Sequence, residues 1–294
     1  MKIIITGSLG NISRPLATTL IAQGQEVTVL SSNSDKVAEI TQIGAHAAIG
    51  SVSDENFLVN TFTGADLVYL MVPTDFGATD LRGYIKNIGE HYANAIKAAG
   101  VKKVVLLSSI GAHLDKGTGP IAGLHDVEQQ FDQLTNLDLL ILRPAFFYIN
   151  FYANIDLIKH AGIIGSNYGA DQSIVLVDPK DIAAVAAEKI QEGFTGRSIL
   201  YIASDKRKLS EVALALGTEI GKADLPWIEF EDTQAYEGMV GAGLSPEMAR
   251  NYVEMGTAIR TEVLWEDYNA KKAIPIGKIE LEDFAKQFAT VYNG

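Results

Sequence analysis

The 294-residue sequence predicts an α/β protein: a Rossmann-type, doubly wound parallel sheet with a smaller, mainly helical C-terminal lobe. Three observations carry this. Short aliphatic runs alternate with amphipathic stretches through most of the chain before Ile202. A glycine turn directly follows the first run. The rhythm changes after Pro144, where five aromatics fall in the seven positions Phe146–Tyr152. Strand alternating with helix implies a parallel sheet covered on both faces.

The strands are read in order as Ile3–Thr6, Glu26–Leu30, Ala45–Ile49, Leu67–Val72, Val104–Leu107 and Leu139–Leu142. Each is short and apolar on both faces, as buried parallel strands are. Between them, Arg14–Gln23, Lys36–Ile43 and Ile85–Ala99 have helical periodicity. Strand-like segments return at Ser173–Val177 and Ser198–Ile202. Asp178-Pro179-Lys180-Asp181 starts a helix: an Asp cap, Pro in the first turn, and a second carboxylate near the positive end of the dipole. Gly243-Leu244-Ser245-Pro246-Glu247 starts another with similar chemistry. The length fits about two domains at roughly 150 residues each. The expected division puts residues 1–145, plus about 174–204, in a dinucleotide-binding domain. Residues 146–173 and 205–294 form the expected substrate-side lobe.

Composition excludes several functions. The chain has no cysteine, which removes disulfides, thiolate catalysis and Cys-built zinc sites. A net charge of −12 repels nucleic-acid phosphates, and the densest basic cluster is only Lys206-Arg207-Lys208. The N-terminal apolar run is too short for a signal peptide, and no stretch approaches a membrane span. The five histidines are scattered without metal-ligand spacing, so no metal is expected. A protein of the cytoplasm that acts on a small molecule is the expectation. No nucleic acid or membrane partner is expected.

The strongest local motif is Thr6-Gly7-Ser8-Leu9-Gly10-Asn11-Ile12-Ser13. Glycine allows a tight turn and a close backbone approach to a pyrophosphate, and the helix N-terminus adds positive partial charge. Gly7 and Gly10 fit those roles, and Ser13 stands where a third glycine would ease helix–strand packing. The alternative is a plain strand-to-helix turn. The second strand runs into Ser31-Ser32-Asn33-Ser34-Asp35-Lys36. A carboxylate at the strand end would read the ribose hydroxyls of NAD. Uncharged Ser31 and Ser32 stand there, and Ser32, Asn33 and Lys36 could hold a phosphate. NADP is therefore preferred and NAD kept as an alternative. The same polar residues could also merely close a turn.

With these residues in place the chain resembles the NmrA-like branch of the atypical short-chain dehydrogenase/reductases, including quinone-oxidoreductase-like and sugar-nucleotide-epimerase-like members. The resemblance also runs through Gly100–Ala112, Arg143–Asn150, Val177–Ala183, Gly243–Glu247 and Asp283-Phe284-Ala285. It implies that Gly7, Leu9, Gly10, Asn11 and Ile12 cradle the pyrophosphate, and that Ser32, Asn33 and Lys36 face the adenosine ribose. Ser51 and Val52, after Gly50, would lie along the adenine, and Met71, Val72 and Pro73 would flank the cofactor. Ser108, Ser109, Pro144 and Phe146 would border the nicotinamide.

Standard members of the wider family use Tyr-x-x-x-Lys, in which the lysine lowers the tyrosine pKa for proton exchange. No such motif occurs in this sequence. Counting 18 residues back from Arg143 puts His125 at the lysine position and Ile121 at the tyrosine position. Isoleucine donates no proton. Histidine titrates near neutrality, so His125 is the candidate catalytic residue, with a surface histidine near Glu128 as the alternative. A quinone needs little acid help, because its reduced oxygen is a stabilised phenolate. Phe147, Tyr148, Phe151 and Trp227 are the expected walls of the substrate pocket, suited to a flat ring.

The expected activity is hydride transfer from NADPH to a small conjugated acceptor such as a quinone. A non-catalytic dinucleotide sensor with a protein partner is the alternative, and a sugar-nucleotide epimerase is a weaker one.

Overall fold

A computed structural model describes residues 1–294. Seven strands form one all-parallel sheet: β1 (Lys2–Ile5), β2 (Glu26–Ser31), β3 (His46–Ile49), β4 (Leu67–Leu70), β5 (Lys103–Leu107), β6 (Asp138–Pro144) and, after three strands placed elsewhere, β10 (Arg197–Ile202). Their order is β3-β2-β1-β4-β5-β6-β10. The order reverses between β1 and β4, and a ligand crevice opens at the carboxyl ends of the strands at such a point.

Alternate strand residues feed two cores. Ile3, Ile5, Tyr69 and Val105 join one, and Ile4, Val68, Leu70, Val104 and Leu106 the other. That is why these strands read as apolar throughout. α1 (Ser13–Ala22) covers the first face together with α7 (Pro179–Glu192), while α2 (Val37–Gln42) leads into β3. α3 (Glu55–Phe62), α4 (Leu81–Ala99) and α5 (Ile121–Asp132) lie side by side on the second face. Asp80 caps α4 by accepting from the Gly83 amide at 2.8 Å, and Asp178 caps α7 through the Lys180 amide at 2.8 Å. The expected strands and helix starts are thus present, with ends moved by a residue or a few.

From Phe146 the chain builds outside the main sheet. β7 (Phe146–Phe147) leads through a 3-10 turn to α6 (Ile155–Ala161) and β8 (Ile164–Ser166). β9 (Ser173–Val177) pairs with β7 and with β11 (Asp205–Lys208) in a three-stranded sheet, and β8 pairs with β12 (Trp227–Glu229). α8 (Leu209–Glu219), α9 (Asp232–Gly241), α10 (Pro246–Arg260), α11 (Glu266–Ala270) and α12 (Leu281–Asn293) complete the chain. Ser173–Val177 therefore belongs to the small sheet, although α7 and β10, which follow it, return to the large one. A boundary at about 174 and 204 cuts through this small sheet, whose strands lie on both sides of it.

The aromatic run is core. Tyr148 stacks on Phe284 of α12 with centroids 5.2 Å apart, and Phe151 meets Trp227 edge-on at 6.3 Å. Trp227 donates Nε1–H to the Tyr168 carbonyl at 2.8 Å. These contacts fasten the C-terminal segments to the rest of the molecule. No helix is long and apolar enough to cross a membrane.

Candidate functional site

The glycine turn links β1 to α1 at the switch point. Gly7 adopts φ +91°, a region costly for any residue with a Cβ. A Cβ on Gly7 would lie 2.7 Å from Met71 Cγ and 2.8 Å from Ser13 Oγ. Ser13 is buried and donates its hydroxyl to the Thr6 carbonyl at 2.9 Å. The serine at the third glycine position thus ties the helix to the strand instead of merely fitting between them. Ser8 also has positive φ, +54°, and its hydroxyl donates to Ser31 Oγ at 3.0 Å. Ser31 Oγ in turn accepts the Asn33 amide at 3.2 Å, so the ends of β1 and β2 are pinned together.

Within the turn, the Gly10 amide bonds the Gly7 carbonyl and the Arg14 amide the Gly10 carbonyl. The amides of Leu9, Asn11, Ile12 and Ser13 donate to no protein acceptor. α1 has no side-chain cap and no acidic residue in its first turn. Unpaired amides, an uncapped helix terminus and a glycine against which nothing larger fits make a suitable cradle for a pyrophosphate. The Ile12 side chain is buried, so only its amide could serve there.

At the ribose side, Ser32 and Asn33 are exposed. The Asn33 side-chain oxygen accepts the Asp35 amide at 2.8 Å, so that oxygen closes a turn and leaves the amide nitrogen to a ligand. Lys36 Nζ lies 2.7 Å from Glu39 Oε2, and Arg14 pairs with Oε1 of the same carboxylate. Arg14 is a second cation in this corner that the sequence reading missed. Its place just after the glycine turn was the available signal. Ser51 is exposed and Val52 half-buried after β3.

Met71, Val72 and Pro73 follow β4. Thr6 Oγ1 accepts the Met71 amide at 2.8 Å, and Tyr92 donates to the Met71 carbonyl at 2.9 Å. After β5, Ser108 donates to Glu128 Oε1 at 2.5 Å and Ser109 to the Ile110 carbonyl at 2.9 Å. Both hydroxyl protons are committed to the protein, though the oxygens can still accept. Pro144 is buried at the end of β6, with half-buried Phe146 just beyond.

A cleft of about 200 Å³ opens beside these strand ends. Val72, Pro73 and Thr74 form one wall, and Leu81 and Ile85 of α4 face it. Pro120 and Leu124 of the α5 start and the exposed Asn150 also line it. Met248, Tyr252 and Met255 of α10 supply the remaining wall. Cavities of roughly 150 Å³ can hold benzene, so this one suits a single ring. Asn167 holds α10 in place: it is fully buried, donates to Asp232 and the Val253 carbonyl at 2.9 Å each, and abuts Gly256.

The expected pocket walls differ from this. Tyr148, Phe151 and Trp227 do not line the cleft, because their rings are buried in the core contacts described above. Phe147 is half-buried in β7 and also lies outside the cleft lining. Of the nine lining residues that were not expected, three come from α10: Met248, Tyr252 and Met255. Their 248, 252, 255 spacing marks one helical face, but nothing in the sequence says what that face meets.

His125 lies one residue from the cleft-lining Leu124, and its Nδ1 is 2.9 Å from the Ala112 carbonyl. That contact makes Nδ1 the protonated nitrogen and leaves Nε2 as the free one. Ile121 is buried with Leu264 close to Gly111. Glu128, on the same helix, pairs with Arg143 in a buried network. Burial works against the Arg143 charge, but Glu128 and Tyr201 more than offset it and raise its pKa. No group of three or more His, Asp or Glu side chains is placed to hold a metal.

No curated protein matches the chain in sequence. Solved structures do match in fold. A NADPH-dependent quinone oxidoreductase from Escherichia coli superposes with a TM-score of 0.80 at 19% identity, covering 97% of this chain and 98% of that one. The triphenylmethane reductase of Citrobacter sp., solved with NADP(H), gives 0.79 at 20% identity over 97% and 99%. A nucleoside-diphosphate-sugar epimerase from Staphylococcus aureus gives 0.76 at 14% identity over 97% and 100%. The NAD(P)H-binding family matches residues 7–192, from the first glycine of the turn to the end of α7. The chain therefore belongs to the NAD(P)H-binding family.

Proposed function

We propose that this protein is an NADPH-dependent reductase of a small conjugated acceptor such as a quinone. The observation that carries it is the pairing of two features at one end of the sheet: four unpaired amides around Gly7 and Gly10, and an apolar, ring-sized cleft beside Val72 and Pro73. The cofactor supplies hydride when bound. Leu9, Asn11, Ile12 and Ser13 hold its pyrophosphate through backbone amides, and Arg14 and Lys36 stand where a ribose phosphate would lie. Met71–Pro73, Ser108 and Pro144 border the reactive end. The cleft orients a flat acceptor against Met and Tyr side chains. The main-sheet part binds the cofactor, and the segments after Phe146 close the acceptor side. Cytoplasmic location is part of the same proposal.

The test mixes protein, NADPH and a panel of quinones and follows the nicotinamide absorbance. Oxidation above background supports the proposal, and none with any acceptor removes it. A second reading, a cofactor-dependent regulator, is favoured by Ile121 at the tyrosine position and by the bond of His125 to Ala112. It requires tight cofactor binding, no turnover, and a partner protein captured only when cofactor is present. The epimerase alternative lacks an acid/base pair in the cleft, whose polar lining is Thr74, Asn150 and Tyr252.

A further inference from the structure

The cleft has one side chain able to give up a proton at its lining, and it comes from α10. Tyr252 is half-buried, with Met248 one turn before it and Met255 nearly one turn after it on the same helical face. Its hydroxyl makes no hydrogen bond to the protein, and its oxygen is not enclosed, unlike the buried orphan hydroxyls of Tyr69 and Tyr148. An open, unpaired hydroxyl on a residue that lines an apolar cleft is available to a bound molecule.

The other polar groups do not fill this role. Ile121 is apolar, and the Nδ1 of His125 is held by Ala112 outside the cleft lining. Ser108 and Ser109 have donated their protons to Glu128 and Ile110. Asn150 and Thr74 can form hydrogen bonds but are far too weakly acidic to release a proton. Burial pushes the Tyr252 phenol above its ordinary value. It stays protonated at neutral pH, as a donor must. α10 is held rigidly: Arg260 and Asn167 both bond Asp232, and Glu247 accepts the Leu81 amide at 3.4 Å.

We propose that Tyr252 is the proton donor of the acceptor cleft, standing in for the absent tyrosine of Tyr-x-x-x-Lys from a different element of the fold. This rests on the reductase reading. The acceptor gains a hydride, two electrons with one hydrogen, from the reduced nicotinamide, and one proton from the Tyr252 hydroxyl. The resulting phenolate regains its proton from solvent water. Acceptors that become basic alkoxides depend on Tyr252 most, and quinones, which become stabilised phenolates, depend on it least.

The test compares Tyr252→Phe with the wild type, since phenylalanine keeps the ring and removes only the hydroxyl. Three quantities are measured: kcat/KM with the best acceptor of a panel of quinones and aromatic carbonyls, hydroquinone binding to the NADP+ complex by calorimetry, and NADPH binding by fluorescence. General acid catalysis commonly contributes 10²–10⁴-fold, and a quinone should show the low side of that range or less. The expected result is a kcat/KM at least tenfold lower, hydroquinone bound several-fold more weakly, and NADPH affinity unchanged. A variant within twofold of wild type in turnover and hydroquinone binding would overturn the proposal. So would an equal loss of NADPH affinity, which marks a structural role. A wild type that binds NADPH but neither reduces any acceptor nor binds hydroquinone removes the reductase reading and the proposal together. That result is distinct from an active wild type with an indifferent variant.

Discussion

Arg143 Nη2 lies 2.6 Å from Glu128 Oε2 and Arg143 Nε lies 3.0 Å from Glu128 Oε1, with both side chains almost fully buried. The guanidinium also donates to Tyr201 at 2.9 Å and to Asp267 of α11 at 3.3 Å. One buried cation thus joins α5, two strands of the sheet and α11. Because Ser108 donates to the same carboxylate, the network reaches the strand end beside the candidate nicotinamide site.

Removing one partner leaves a buried charge uncompensated, which costs about 3–5 kcal/mol. Glu128→Ala is expected near the low end, because Tyr201 and Asp267 still face Arg143. Arg143→Met with Glu128→Leu should recover much of the loss. Urea unfolding of both variants checks this. A single-variant loss well under 1 kcal/mol would show that the pair carries little.

Gly7→Ala places a methyl 2.7 Å from Met71 at a backbone angle unsuited to alanine. The turn must shift, and the amides after it with it. NADPH affinity should fall at least tenfold, about 1.4 kcal/mol, with a lower melting temperature. Gly24→Ala is the control: its φ is +81°, but nothing lies within 4 Å of the added carbon. It should lower stability without changing cofactor affinity. Fluorescence titration beside a thermal melt separates the two.

Glu39 bridges Arg14 and Lys36, so its charge competes with any phosphate there. Both cations are about two-fifths exposed, which limits each contact. Arg14→Ala with Lys36→Ala should weaken NADPH roughly tenfold and leave NADH within twofold, since a bidentate phosphate site is lost. Glu39→Gln should tighten NADPH. Equal effects on both cofactors would place the cations away from the ribose phosphate.

Burial pulls the His113 pKa below its ordinary value, with Asp267 opposing and Arg143 assisting. Both ring nitrogens lack a partner. The folded protein therefore binds this proton less readily than the unfolded chain, for which a value near 6.5 applies. The contribution is whole above about 6.5 and shrinks as pH falls toward the folded value. His113→Leu should flatten the stability decline between about pH 7 and 5, read from denaturant midpoints. An unchanged slope would discount His113.

Much of this protein was legible from local sequence. The strands were apolar on both faces because the sheet is covered on both. Asp178 and Ser245 announced helix starts through chemistry that acts within one turn. Gly7 and Gly10 marked the dinucleotide turn because that site is built from consecutive backbone. The acceptor side was not local. Phe146–Tyr152 carries enough apolar surface for either a pocket wall or a core, and only the arrival of Phe284 and Trp227 decides for the core. Met248, Tyr252 and Met255 read as one face of an amphipathic helix, and only the docking of α10 against α4 and α5 makes that face a cleft wall. Periodicity fixes which side chains share a face. What that face meets depends on contacts between residues far apart in the chain, which only the tertiary structure decides.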